Sequence, residues 1–323
     1  MIVRPPYVVV ISSPSAGVGK STLASNLAVY LKGLAEDLPV AYVSFDSAAG
    51  VDAMFALPGS AAGDLSNLQP GTALPELLAL GEFAVEFCYA GSQREVRPAA
   101  WLRKNLAQAD YDGILILDVG PAHPLLTAAI WAADLVLVPI KDPATLGEVV
   151  GLRKQFLAGG GCAEQFCLLP SELGEEGRYQ CQADRAEFLR FAAAERGFQV
   201  LDETLIADAQ VREQAAERAK PVLTRVPQSR LHAQLRQLAE LILSRRRQQA
   251  GYAARLARWQ SDGVLPARAR RVELCVGRGC SLPRCNTLNR TRQDGGCCCT
   301  GPVSPACSRE PGPALFTALQ KHC

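Results

Sequence analysis

The sequence has no apolar run approaching the ~18 residues that span a bilayer, so no transmembrane helix is expected. The apolar stretch at residues 7–11 is too short for the core of a signal peptide; it predicts a strand in a cytoplasmic protein. Histidine is scarce: His123, His232 and His322 are the only three, and none has a partner at metal or catalytic spacing. Cysteine is not scarce, at 12, but its pattern lacks what a structural zinc site needs. Cys275, Cys280 and Cys285 are spaced by four residues, Cys297-Cys298-Cys299 are contiguous, and no C-x₂-C pair occurs among them. A secreted disulfide framework would contradict a cytoplasmic body.

What is present divides unevenly. The net charge is only +2, yet residues 250–323 carry 11 Lys/Arg against 4 Asp/Glu, and 8 of the 12 cysteines lie between Cys275 and Cys323. The first 249 residues are acidic by contrast. So abrupt a shift marks a boundary near residue 250. A chain of 323 residues, 48% hydrophobic, can build one large α/β domain over residues 1–249. The segment 250–323, rich in Arg, Pro, Gly and Cys without periodicity, cannot bury a core and is expected to be disordered.

Strand-like and helix-like segments alternate through the first domain. Strands are predicted at 7–12, 39–45, 83–89, 114–118, 135–139, 166–170 and 200–206. Helices are predicted at 20–34, 98–107, 125–132, 146–158, 185–196, 210–219 and 230–247. Several strands are continuous apolar runs, which suits a parallel twisted sheet with helices on both faces. Ligands of such sheets bind beyond the carboxyl ends of the strands.

One motif falls at such an end. Tyr7-Val-Val-Val-Ile11 leads into Ser12-Ser-Pro-Ser-Ala-Gly-Val-Gly-Lys-Ser-Thr22, where a Gly-rich turn opens an apolar-periodic helix. A nucleoside triphosphate needs that order of parts, since the turn aims backbone N–H groups at the phosphates and the helix adds its positive dipole end. The candidate binding residues are Ser15, Ala16, Gly17, Val18, Gly19, Lys20, Ser21 and Thr22. Lys20 can reach the β and γ phosphates, and the Ser21 hydroxyl can hold Mg²⁺. Pro14 stands where G-x-x-x-x-G-K-[ST] has its first glycine.

Two other strand ends are acidic. Ile114-Leu-Ile-Leu-Asp118 closes an apolar run, and its carboxylate can hold Mg²⁺ together with Ser21. Val43-Ser-Phe-Asp46 ends the strand after the first helix, and Asp46 is placed to orient an attacking water. Asp at either position also serves as an ordinary cap or turn residue. Lys20, Asp46 and Asp118 are the candidate catalytic set.

These features together resemble the ParA/MinD group of P-loop ATPases. The resemblance runs from Ser15-Ala-Gly-Val-Gly-Lys-Ser-Thr22 and the Asp46 strand end through Tyr111-Asp-Gly-Ile-Leu-Ile-Leu-Asp-Val-Gly-Pro121 to Ala133-Asp-Leu-Val-Leu-Val-Pro-Ile-Lys141. It continues in Ala219-Lys-Pro-Val-Leu223, Pro227-Gln-Ser229 and Leu238-Ala-Glu-Leu-Ile-Leu243. It implies a P-loop NTPase fold of the deviant Walker A class, binding of ATP and Mg²⁺, and a nucleotide-dependent homodimer that switches states and positions or partitions cargo. It also implies a cognate activator or cargo protein, and a DNA or membrane surface is open as a partner. By the same resemblance the adenine lies near Pro170, Ser171 and Asp208.

Two departures bear on hydrolysis more than on binding. Ser15 occupies the position of the family's signature lysine, which reaches across the dimer to the partner's phosphates. Ser44 stands where many members have another Asp. Either hydrolysis is slower here, or another cation substitutes, or the nucleotide dimer is weak. Two alternatives stand beside the ATPase. The loop also resembles that of bacterial tyrosine kinases, but no Arg follows Asp46 and Tyr252 is the sole tyrosine after Tyr179. A scaffold that binds nucleotide but has lost catalysis is the other. Finally, Ser244-Arg-Arg-Arg247 and Tyr252-Ala-Ala-Arg-Leu-Ala-Arg-Trp259 could meet an anionic surface. As a helix C-terminus, the arginines would instead complement the dipole, and that is the expectation.

Overall fold

Buried apolar runs become the strands of one sheet. The computed structural model describes residues 5–45, 55, 63–65, 78–81, 83–89, 99–109, 111–171, 182–205, 222 and 227–261. Its strands are β1 (Tyr7–Ile11), β2 (Val40–Ser44), β3 (Gly63–Asp64), β4 (Ala79–Leu80), β5 (Glu86–Tyr89), β6 (Ile114–Asp118), β7 (Leu135–Ile140), β8 (Phe166–Pro170) and β9 (Gln199–Val200). Its helices are α1 (Lys20–Leu34), α2 (Ala99–Gln108), α3 (Leu126–Ala132), α4 (Thr145–Ala158), α5 (Gln182–Ala194) and α6 (Arg230–Ser261).

The strand order is β3-β5-β2-β6-β1-β7-β8-β9, with every neighbouring pair parallel, and β4 adds one short antiparallel pairing to β5. Every residue of β1, β2, β6, β7 and β8 is buried. The reason is visible in the alternation of side chains. Val8, Val10, Ala41, Val43, Leu115 and Leu117 pack on the face covered by α2, α3 and α4. Tyr7, Val9, Ile11, Val40, Tyr42, Ile114 and Ile116 pack on the other, under Leu27 and Leu31 of α1 and Leu235, Leu238 and Ile242 of α6. This is the parallel sheet, helix-covered on both faces, that the apolar runs predict.

Differences lie at the margins. β3 and β4 have two residues each, too few for a period of two to show. The strand predicted at 200–206 shortens to Gln199–Val200, with Leu205 forming a separate bridge to Ser171. The helix predicted at 210–219 lies outside the described residues. The helix predicted to end at residue 247 runs on to Ser261, because nothing in Ser244-Arg-Arg-Arg-Gln-Gln-Ala250 breaks it. Arg245 and Arg246 are therefore interior to α6 and do not meet a helix C-terminus. Arg246 donates to the Asp112 side chain at 2.6 Å, and Arg245 to the Glu164 carbonyl at 3.0 Å. Both pin the helix to loops that precede strands. The chain divides into two compact units after Arg246. Residues 250–261 of the segment expected to be disordered are thus helical, carried on as the end of α6, and residues 262–323 lie outside the described residues. No helix among the described residues is long and apolar enough to cross a membrane.

Candidate functional site

β1 sits between β6 and β7, so the loop leaving its carboxyl end rises over the middle of the sheet. Both neighbours hold the loop's root: Val119 N–H donates to the Ile11 carbonyl at 3.1 Å, and Ser12 N–H to the Leu137 carbonyl at 3.2 Å. Gly17 and Gly19 have φ of 66° and 78°, the left-handed region that side chains rarely adopt. At Gly17 no atom of the described residues lies within 4 Å of where a Cβ would be, so the backbone angle requires the glycine. Gly19 caps α1, whose first turn has no acidic residue and no side-chain cap. Its N-terminal dipole and N–H groups are thus left for an external anion.

Inside the loop, the Ser13 hydroxyl accepts from Ser15 N–H at 3.3 Å, closing a tight turn around Pro14. That turn explains how the loop forms without its first glycine. Lys20 extends back across it, its Nζ 3.0 Å from the Ser15 carbonyl. The Ser171 hydroxyl, buried at the end of β8, donates to the Val18 carbonyl at 3.3 Å. Asn26 clips α1 from below, donating to the Thr22 carbonyl at 2.7 Å and accepting from Val222 N–H at 2.8 Å.

The register of the sheet brings the acidic strand end to this loop. Asp118 pairs with Ile11 on one side and Ser44 on the other. It shares its face of β6 with Ile114 and Ile116, the face that α1 covers. Its carboxylate is fully buried, and the Tyr42 hydroxyl donates to its Oδ2 at 2.9 Å. The neighbouring Ser12 hydroxyl is buried with no hydrogen-bond partner among the described residues. Among those residues no group of three or more His, Cys, Asp or Glu could hold a metal unaided. A cation here would draw on phosphate oxygens and water as well as Ser21 and Asp118. Mg²⁺, which keeps much of its hydration, fits such a sparse oxygen set.

Ser15, Ala16, Gly17, Val18, Gly19, Lys20, Ser21 and Thr22 lie on the stretch that joins β1 to α1, and Asp118 pairs with Ile11, the last residue of β1. Pro170 is buried at the end of β8, next to the Ser171 that braces the loop. Asp46 and Asp208 lie outside the described residues. His123 and His232 make local contacts: His123 Nδ1 accepts from Leu125 N–H at 3.1 Å, and His232 Nδ1 lies 2.8 Å from the Tyr30 hydroxyl. Sequence reasoning missed Tyr42 and Asn26. A tyrosine in an otherwise apolar buried strand does carry a signal, since its hydroxyl needs a partner inside the sheet.

No protein-family model matches this sequence, and no curated protein matches it. Solved structures do resemble it. The MinD cell division protein of Aquifex aeolicus is 15% identical with a TM-score of 0.55, over 74% of this chain and 97% of that one. The septum site-determining protein MinD of Pyrococcus horikoshii OT3, complexed with Mg-ADP, is 19% identical with a TM-score of 0.54, over 73% and 96%. A variant of McdA from Cyanothece in complex with ATP is 16% identical with a TM-score of 0.55, over 75% and 97%. The fold is that of the ParA/MinD-type P-loop ATPases. Within this fold Ile11, from which the loop leaves, pairs with Asp118 at the carboxyl ends of β1 and β6, the side on which a parallel sheet presents its ligands.

Proposed function

We propose that the protein is a cytoplasmic ATP-binding switch of the ParA/MinD kind that hydrolyses ATP slowly and positions or partitions a cargo. The observation that carries this reading is the glycine-shaped loop at the uncapped start of α1, with Lys20 across it and buried Asp118 on the sheet beneath. Nucleotide binding is supported by the neighbours solved with ATP or Mg-ADP, and a partner protein by the MinC:MinD complex of Aquifex aeolicus. Loop N–H groups and Lys20 bind the phosphates, while Ser21 and Asp118 are the residues that would hold Mg²⁺. When bound, that ion would neutralise phosphate charge. Asp46 orients the attacking water.

Ser15 sets the character of the switch. A serine cannot supply the cross-dimer cation of a lysine, so each site lacks one charge-assisted contact of ~1.5–3 kcal/mol. The ATP-bound dimer is correspondingly weak, by an order of magnitude or more, until a partner adds contacts. Light scattering across a concentration series, with Asp46→Ala holding ATP in place, tests this. Ser15→Lys should tighten the dimer at least tenfold. A tight wild-type dimer that this change leaves unaltered would remove Ser15 from the account. Phosphate release, with and without a partner, separates the ATPase from a scaffold that only binds. Transfer of the γ-phosphate to a tyrosine of the chain would establish the kinase reading in its place.

A further inference from the structure

We infer that Tyr42 is a positioning residue for Asp118, and that its hydroxyl sets the Mg²⁺ dependence of nucleotide binding by fixing the Asp118 carboxylate. The inference rests on the nucleotide-site reading above. It begins from the register. Tyr42 pairs with Ile116, and Ser44 pairs with Asp118, so Tyr42 lies one pleat before the carboxylate on the same face. Two residues of strand advance by ~6.6 Å, a span that a tyrosine ring leaning along the strand covers. The hydroxyl reaches Asp118 Oδ2 at 2.9 Å, in a fully buried contact.

The ring cannot easily leave that position. Phe87 lies 5.4 Å from it and Phe55 5.9 Å, both tilted, and all three rings are fully buried. Such a wedge fixes the ring, and through the ring the hydroxyl. A buried carboxylate needs donors, and an O–H donated to an ionised oxygen is among the stronger bonds available. A donor on Oδ2 also fixes the plane of the carboxylate. For a group that holds a cation, orientation of this kind usually matters nearly as much as the ligand itself.

Tyr42→Phe removes one oxygen and keeps the ring, so the wedge with Phe55 and Phe87 survives. The experiment measures equilibrium binding of ATP to the full chain across a series of free Mg²⁺ concentrations and again in EDTA. The Mg²⁺ concentration for half-maximal enhancement of binding should rise ~10–100-fold in the variant, while affinity in EDTA stays unchanged. In an Asp118→Asn background, Tyr42→Phe should have no further effect. The inference is overturned by an unchanged Mg²⁺ titration, by an equal loss in EDTA, or by an effect that persists without the Asp118 carboxylate. A wild-type chain that binds no ATP in either condition would overturn the nucleotide-site reading itself, and this inference with it.

Discussion

The two edges of the sheet treat polar groups in opposite ways. At the carboxyl edge, Ser12, Ser13, Ser44, Asp118 and Ser171 are each at most 3% exposed. The bonds there join distant parts of the chain, such as Ser171 to Val18 and Tyr42 to Asp118. At the amino edge, charges stay near water and anchor loops. Asp134 accepts from Val8 N–H at 2.9 Å, and Arg246 pairs with Asp112, whose side chain is about half exposed. Tyr111 also donates to Glu86 there, and burial, then Glu86, pushes its phenol upward, so it remains neutral. Buried polar groups are costly unless they are paired. Their concentration at the carboxyl edge suits the proposed nucleotide site, while the groups at the amino edge hold loops in place.

Substitutions sharpen this contrast. The largest effect should come from Lys20→Ala. With MgATP at about 100 times Kd, linkage stabilises the wild type by ~2.7 kcal/mol. The variant should lose that increment in a thermal melt yet match the wild type without nucleotide. A nucleotide shift that survives would remove the loop from the binding site.

Asn26→Ala should come next. It leaves the buried Val222 N–H without its acceptor, at a cost of ~1–3 kcal/mol in urea denaturation with or without nucleotide. The smallest effect belongs to the amino edge. Arg246→Ala should cost no more than ~1 kcal/mol, and a double-mutant cycle with Asp112→Ala should give a coupling of that size, falling with salt. Were this pair to match Asn26, the distinction between the two edges would fail.

The sequence carried most of the fold because the strands are buried on both faces. A strand covered on both sides must be apolar throughout, so 114–118, 135–139 and 166–170 stand out as runs, and α1 was legible to its ends. The glycine turn before α1 was equally legible, since glycine is the residue that adopts the angles at Gly17 and Gly19. β3, β4 and the extension of α6 to Ser261 were not, because short edge pairings and the far end of a polar helix leave no pattern in composition.

By itself, the sequence determined the alternation of elements, the glycine turn that opens α1, and the acidic end of β6. Those are local properties: each follows from residue type and spacing along one segment. Only the tertiary structure decided which groups serve that loop. Tyr42 reaches Asp118 across 76 positions, Ser171 reaches Val18 across 153, and Val222 reaches Asn26 across 196. Contacts of that kind arise from strand order and register, and no stretch of sequence holds both partners.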